Sequence, residues 1–202
     1  MNYLVAIHVP IAGLALLPII CGWPPIFTPV HMALLELVND PVCSIVFEAE
    51  REEAKLMKRR PRDPHAPLLS AALMARGLLQ GICVLLLCAP VLAVGVKVGL
   101  SADRVRALTF LSLVPGNFAL IIVNRAFATS IFVALASPNP ALWLVLSATI
   151  AMLAAAVGIP AVRELFRFGS MAWGDFGVVA GVAVAAATLL EVIKLLPVAA
   201  LE

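Results

Sequence analysis

The chain has 202 residues, 63% of them hydrophobic and 13% charged, with a formal net charge of +2 and a mean hydropathy of +1.07. Soluble domains carry about a quarter charged residues, so this composition excludes a water-soluble domain, and a charge so close to balance gives nothing for nucleic acid to bind. The four cysteines, Cys21, Cys43, Cys83 and Cys88, sit in or beside apolar runs without C-x-x-C spacing, which speaks against a disulfide framework or a zinc site and for small apolar packing residues.

The apolar runs predict an all-α integral membrane bundle of six transmembrane helices forming one domain over 1–202, with spans near 3–22, 26–47, 74–98, 107–123, 141–159 and 176–197. About 20 residues suffice to cross a bilayer. The first span carries Pro10 and Pro18, which deprive the carbonyls of Ala6 and Leu14 of helical partners. No basic n-region or small-residue cleavage site marks a leader, so this run is expected to stay in the membrane. Gly22-Trp23-Pro24-Pro25 is a turn, with Trp23 suited to the membrane boundary. So short a turn makes the first two spans antiparallel neighbours.

Residues 48–67 form the substantial polar loop, and Arg51, Lys55, Lys58, Arg59, Arg60 and Arg62 crowd it. By the positive-inside rule this loop is cytoplasmic, and six spans then leave both termini cytoplasmic. Arg104, Arg106, Arg163 and Arg167 fall on the opposite side, against the rule. In the third span Arg76 is near enough to the cytoplasmic end to snorkel, and Gly77 and Gly81 make a small-x-x-x-small pair suited to close packing. Ser101-Ala102-Asp103 is a candidate N-terminal cap for the fourth span. Pro115-Gly116-Asn117 weakens that helix beside a polar side chain, and Asn124 and Arg125 mark its end. Ser137-Pro138-Asn139-Pro140 breaks the chain before the fifth span, and Arg163 to Trp173 is a polar, aromatic-bearing connector to the sixth.

The stretch Pro29 to Pro41 organises the rest. It lies in an apolar run yet holds Glu36, Asn39 and Asp40, and residues three and four apart share a helix face. A carboxylate near the centre of a bilayer costs about 2.5–3.5 kcal/mol on insertion scales. Pro41 also frees the carbonyl of Leu37. Carboxylate, amide and carbonyl oxygens so gathered suit a hard cation: calcium, magnesium or sodium. His8, two residues before Pro10, either faces such a site or makes a boundary contact. His31 points elsewhere and is expected to be structural. Asn117 is a second candidate ligand, whereas Glu191 and Lys194 read as a neutralising surface pair. The sequence holds no phosphate loop and no nucleophile elbow.

These residues carry a resemblance. Pro29-Val30-His31, Leu35-Glu36-Leu37-Val38-Asn39-Asp40-Pro41, Ser44, Phe47-Glu48 and Arg59-Arg60-Pro61-Arg62 resemble the sixth membrane helix and following loop of bacterial P-type cation-transporting ATPases of the calcium-ATPase group. Tyr3 to Gly13 is similar to their fifth helix, Asn117 and Val123-Asn124-Arg125 to their eighth, and Pro138-Asn139-Pro140 with Arg163-Glu164-Leu165-Phe166 to the region through the ninth. The resemblance implies that the transported cation is held by Glu36, Asn39 and Asp40, with His8 and Asn117 at further ligand positions, while Ile11 stands where a second fifth-helix ligand belongs. It implies the bacterial plasma membrane, with the lipid bilayer and the catalytic part of a pump as partners. The Asp-Lys-Thr-Gly-Thr and Thr-Gly-Glu-Ser motifs of that family do not occur here, nor does its Pro-Glu-Gly ligand motif. The expectation is therefore the C-terminal membrane part of a pump, truncated or separately encoded, with no ATP site of its own. A free-standing channel or secondary carrier, and a non-transporting scaffold, are the alternatives.

Overall fold

The computed structural model describes residues 2–41, 45–46, 48–49, 71–125 and 139–195. Among them are seven helices: α1 (Asn2–Cys21), α2 (Pro29–Pro41), α3 (Ala71–Lys97), α4 (Ala102–Arg125), α5 (Pro140–Gly158), α6 (Pro160–Leu165) and α7 (Trp173–Leu195). Five of these, all but α2 and α6, are long and apolar enough to cross a membrane, and the protein is an integral membrane helical bundle. The expected second span appears as α2, whose 13 residues reach about 20 Å against a hydrocarbon core of about 30 Å. Residues 42–44 and 47 of that expected span, the basic loop over 50–70 and Cys43 lie outside the described residues. The fourth helix begins at Ala102 rather than 107, because Ser101 caps it: its Oγ accepts from the Arg104 N–H at 3.4 Å and its carbonyl from Val105 at 3.0 Å.

Helix α4 is the hub. Its buried residues run almost without interruption from Val105 to Arg125, because α1, α3 and α7 all pack on it, while α1 lies along α3 and α3 also touches α7. Close approach is set by glycine. A Cβ on Gly81 would stand 2.6 Å from the Ala6 carbonyl oxygen and 2.7 Å from the Val9 Cβ, so α1 and α3 meet where Pro10 leaves that carbonyl without a helical N–H. A Cβ on Gly116 would meet Val84 Cγ1 at 2.7 Å. Val105 meets Gly95 one helix-length away, so α3 and α4 run antiparallel.

Polar ties close the end of the bundle where α4 and α7 begin. Arg104 donates from Nε and Nη2 to the two Asp175 oxygens, each at 2.9 Å. Asp175 Oδ2 also accepts from the Ala172 N–H at 2.8 Å, capping α7. Arg106, only 7% exposed, donates to the Ile26 carbonyl at 2.8 Å, the Arg167 carbonyl at 2.9 Å and Asp103 at 2.5 Å. Two of the arginines that break the positive-inside pattern are thus spent inside the fold, as partners for carboxylates and loop carbonyls.

Arg76 corrects an expectation. It does not snorkel into a boundary layer but is buried, with Nη2 donating to the Lys194 carbonyl at 3.2 Å. The last carbonyls of α7 have no helical donor, and a guanidinium supplies one. The Glu191–Lys194 pair exists at 3.8 Å, yet the lysine side chain is only 6% exposed, so it is not a surface pair.

Candidate functional site

Helix α2 starts on a capping arrangement. Pro29 occupies the first helical position, where its missing N–H costs nothing. The Thr28 carbonyl accepts from the His31 and Met32 N–H groups at 2.9 and 3.2 Å. The His31 ring reaches back, its Nδ1 accepting from the Thr28 N–H at 3.1 Å and from the Thr28 hydroxyl at 2.7 Å, as a Glu or Gln does in a capping box. An N–H can only donate, so Nδ1 is bare and the ring proton sits on Nε2. From there it is donated to the Phe166 carbonyl, 2.8 Å away. His31 is 1% exposed, with the rings of Phe168, Phe110, Phe166 and Phe27 at centroid distances of 5.2 to 6.4 Å. The expectation that His31 points away from the acids and acts structurally matches this placement.

The buried face of α2 consists of His31, Leu34, Leu35, Val38 and Asn39. Glu36 and Asp40, about 40° apart around the axis, stand together on the opposite, exposed face with Leu37. Asn39 lies at the margin between the faces. It is 3% exposed, and its Oδ1 has no hydrogen-bond partner. In α4, Asn117 is 1% exposed with neither amide atom bonded, one helical step past Pro115-Gly116. Both helices begin at the same end, where Phe110 meets Phe27 and His31, so Asn39 and Asn117 lie seven or eight residues along, about 10–12 Å, from that shared level.

His8 takes another position. It lies exposed on α1, its Nδ1–H donating to the Leu4 carbonyl at 2.7 Å. Among the described residues no three His, Cys, Asp or Glu side chains converge as a metal group would. Of the five candidate ligands, then, the two acids are together on one exposed face, the two amides are buried with unmet bonding capacity, and His8 is exposed on a separate helix. Beside Asn117, an apolar hollow of about 340 Å³ lies between α4, α5 and α7, lined by Pro115, Phe118, Thr149 and Ala187 among others. It holds no carboxylate.

Two positioning residues were not foreseen from sequence. Asn139 caps α5, its Oδ1 accepting from Leu142 at 3.0 Å, while its Nδ2 donates to the Val46 carbonyl at 3.2 Å, tethering the chain just beyond α2. Arg106 is the other. The Thr28-x-x-His31 spacing and the Asp103-x-x-Arg106 spacing were readable as local pairs, but their long-range partners were not.

The sequence model of the family described as cation transporting ATPase, C-terminus, matches residues 24–196. The chain belongs to that family. It is 26% identical over 186 residues to a calcium-transporting ATPase of Listeria monocytogenes, covering 89% of this chain and 20% of that protein. It is 24% identical over 177 residues to calcium-transporting ATPase 1 of Lactococcus lactis, covering 87% of this chain and 20% of that one. The chain therefore spans about a fifth of the length of the curated relatives it matches. The family match takes in α2 through α7, so this cation ATPase C-terminal domain includes the whole acid-bearing helix and the hub it packs near.

Proposed function

We propose that this domain supplies part of the cation path of an ATP-driven P-type pump, with Glu36, Asn39 and Asp40 of α2 and Asn117 of α4 as oxygen ligands; His8, at the family's fifth-helix ligand position, lies exposed on α1 apart from them. The transported ion is cargo, and calcium is the first candidate because the relatives named above are calcium-transporting ATPases. The observation that carries the reading is the two-sided character of α2. A carboxylate facing acyl chains costs about 2.5–3.5 kcal/mol, so a helix presenting Glu36 and Asp40 away from its own bundle has a face meant to be covered. In a protein about five times longer, further membrane helices cover it, and the acids become interior groups. The buried Asn39 and Asn117 support the same reading, because an unbonded buried amide costs about 1–3 kcal/mol unless something polar reaches it. The catalytic work of the pump, ATP hydrolysis and phosphoryl transfer, belongs to domains outside this chain's family match. In this reading the second expected span, near 26–47, makes the sixth crossing, and both termini lie in the cytoplasm.

The test is cation-linked stability of the chain in lipid nanodiscs, titrated separately with calcium, magnesium and sodium. A site that binds only the folded state raises stability by about 2.7 kcal/mol at a hundred times its Kd. One of the three ions is expected to raise the melting temperature of the wild type, and Asp40→Asn is expected to remove that rise. A rise that survives both Asp40→Asn and Glu36→Gln, or no rise with any ion, contradicts the assignment.

A further inference from the structure

Helix α2 is held in an unusual way for the element that carries the acids. Among the described residues its contacts with other helices are chiefly to α5; Leu34, Leu35 and Val38 bury its inner face, and polar ties hold both of its ends. Beyond its far end, Asn139 holds the Val46 carbonyl. At its near end, the His31 Nε2–H bonds the Phe166 carbonyl across 135 residues of sequence. The short strap around Phe166 is itself fastened to the hub: the Arg167 carbonyl accepts from Arg106, and the Gly169 N–H donates to the Asp103 carbonyl at 2.9 Å. Arg167 adopts the left-handed backbone at φ 47°, a conformation uncommon for a residue with a side chain. It lets three successive polar groups of the strap reach α2 and α4. A Cβ at Gly169 would stand 2.6 Å from the Arg104 nitrogen, so the strap lies directly on the start of α4.

We propose that His31 is a positioning residue for the cation site: through the strap and Arg106 it fixes the rotation of α2 relative to α4. This rests on the reading of Glu36, Asn39 and Asp40 as ligands. His31 lies on the side of α2 roughly opposite Asp40, so its bond sets where the acids point. A turn of about 40° around the helix axis moves Asp40 into the direction Glu36 holds. That turn would also shift the buried Leu34, Leu35 and Val38, so the His31 tie acts together with their packing. The His31 bond and the rings around it add a directional restraint to the buried packing of Leu34, Leu35 and Val38.

The experiment uses the full chain in nanodiscs with two readouts, amide hydrogen exchange over 29–41 and the midpoint of cation-dependent stabilisation with the ion the wild type binds. His31→Phe keeps a ring in the Phe110/Phe168 cluster but donates nothing. It is expected to speed exchange in α2 without speeding it in α3 or α4, and to raise the cation midpoint about tenfold, the equivalent of roughly 1.4 kcal/mol. His31→Gln keeps a donor near the Nε2 position and is expected to restore both readouts toward wild type. Unchanged exchange in α2 overturns the proposal, as does faster exchange with an unshifted midpoint, or a Gln variant that behaves like Phe. If His31→Phe does not fold, Arg106→Lys loosens the strap from the hub while leaving His31 in place. The same loss of α2 protection is then expected, and wild-type protection overturns the idea. Should the wild type show no cation midpoint at all, the transport reading fails on its own account, while exchange still decides whether His31 holds α2.

Discussion

Among the described residues, buried amides differ in how fully their atoms are bonded. Asn124 donates to Gln80 Oε1 at 3.0 Å and to the Leu120 carbonyl at 2.8 Å, and Asn139 is bonded at both ends of its amide; these are structural. Asn39 and Asn117 are as deeply buried, yet hold polar atoms with no partner. Asn39 and Asn117 thus keep unmet bonding capacity, as do the buried hydroxyls of Thr109 and Ser112. Arg104 and Asp175 form a two-point pair with side chains 31% and 9% exposed. A double-mutant cycle of Arg104→Met with Asp175→Asn, read by thermal unfolding in detergent, is expected to show non-additive losses. Additive effects would mean that the pair closes this end of the bundle by geometry alone. The acids, the proline breaks and the Ser101 cap were legible in the sequence because each acts on its own few neighbours. The roles of Arg76 and Arg106 were not, since their acceptors are carbonyls at Lys194, Ile26 and Arg167, far away in the chain.

At the scale of elements, length and apolarity revealed the helices but not their facing. In α1, Ala6, Ile7 and Leu14 are buried while Leu4 and Leu16 are 44% and 54% exposed, and nothing in side-chain chemistry separates the two sets. A bilayer rewards apolar residues on both faces, so the pattern that orients a soluble amphipathic helix is absent. Glycine is the better guide. Gly81 was read as a close-packing site and does receive α1. Gly81→Val would drive a branched side chain into the Ala6 carbonyl and Val9, and is expected to cost about 1–3 kcal/mol by overpacking. Gly177→Ala on α7, where a Cβ meets nothing within 4 Å, is expected to leave the melting temperature unchanged or slightly raised. Equal losses at the two positions would show that the α1–α3 contact does not set the packing. Among the described helices, α2 combines an apolar face with an acidic one, which is why the sequence alone singled it out.

For the whole molecule, the fold reads as a firm hub, α4 wrapped by α1, α3 and α7, with α2 and α5 set at its margin. The proposed pump role needs both a frame that stays and an element that moves, and it places the acids on the marginal helix α2. Under the proposed reading, alternating access would work through a small rotation or shift of α2. The family match and the fifth-length coverage of its relatives fit a domain whose acidic face is completed by other helices. The most direct measurement is ATP-dependent uptake of radiolabelled calcium into inverted vesicles from cells expressing the natural locus, wild type against Asp40→Asn. Uptake that is present in the wild type and lost in the variant, with equal protein in the membrane, is the expected result; uptake that persists undiminished in Asp40→Asn would contradict the account.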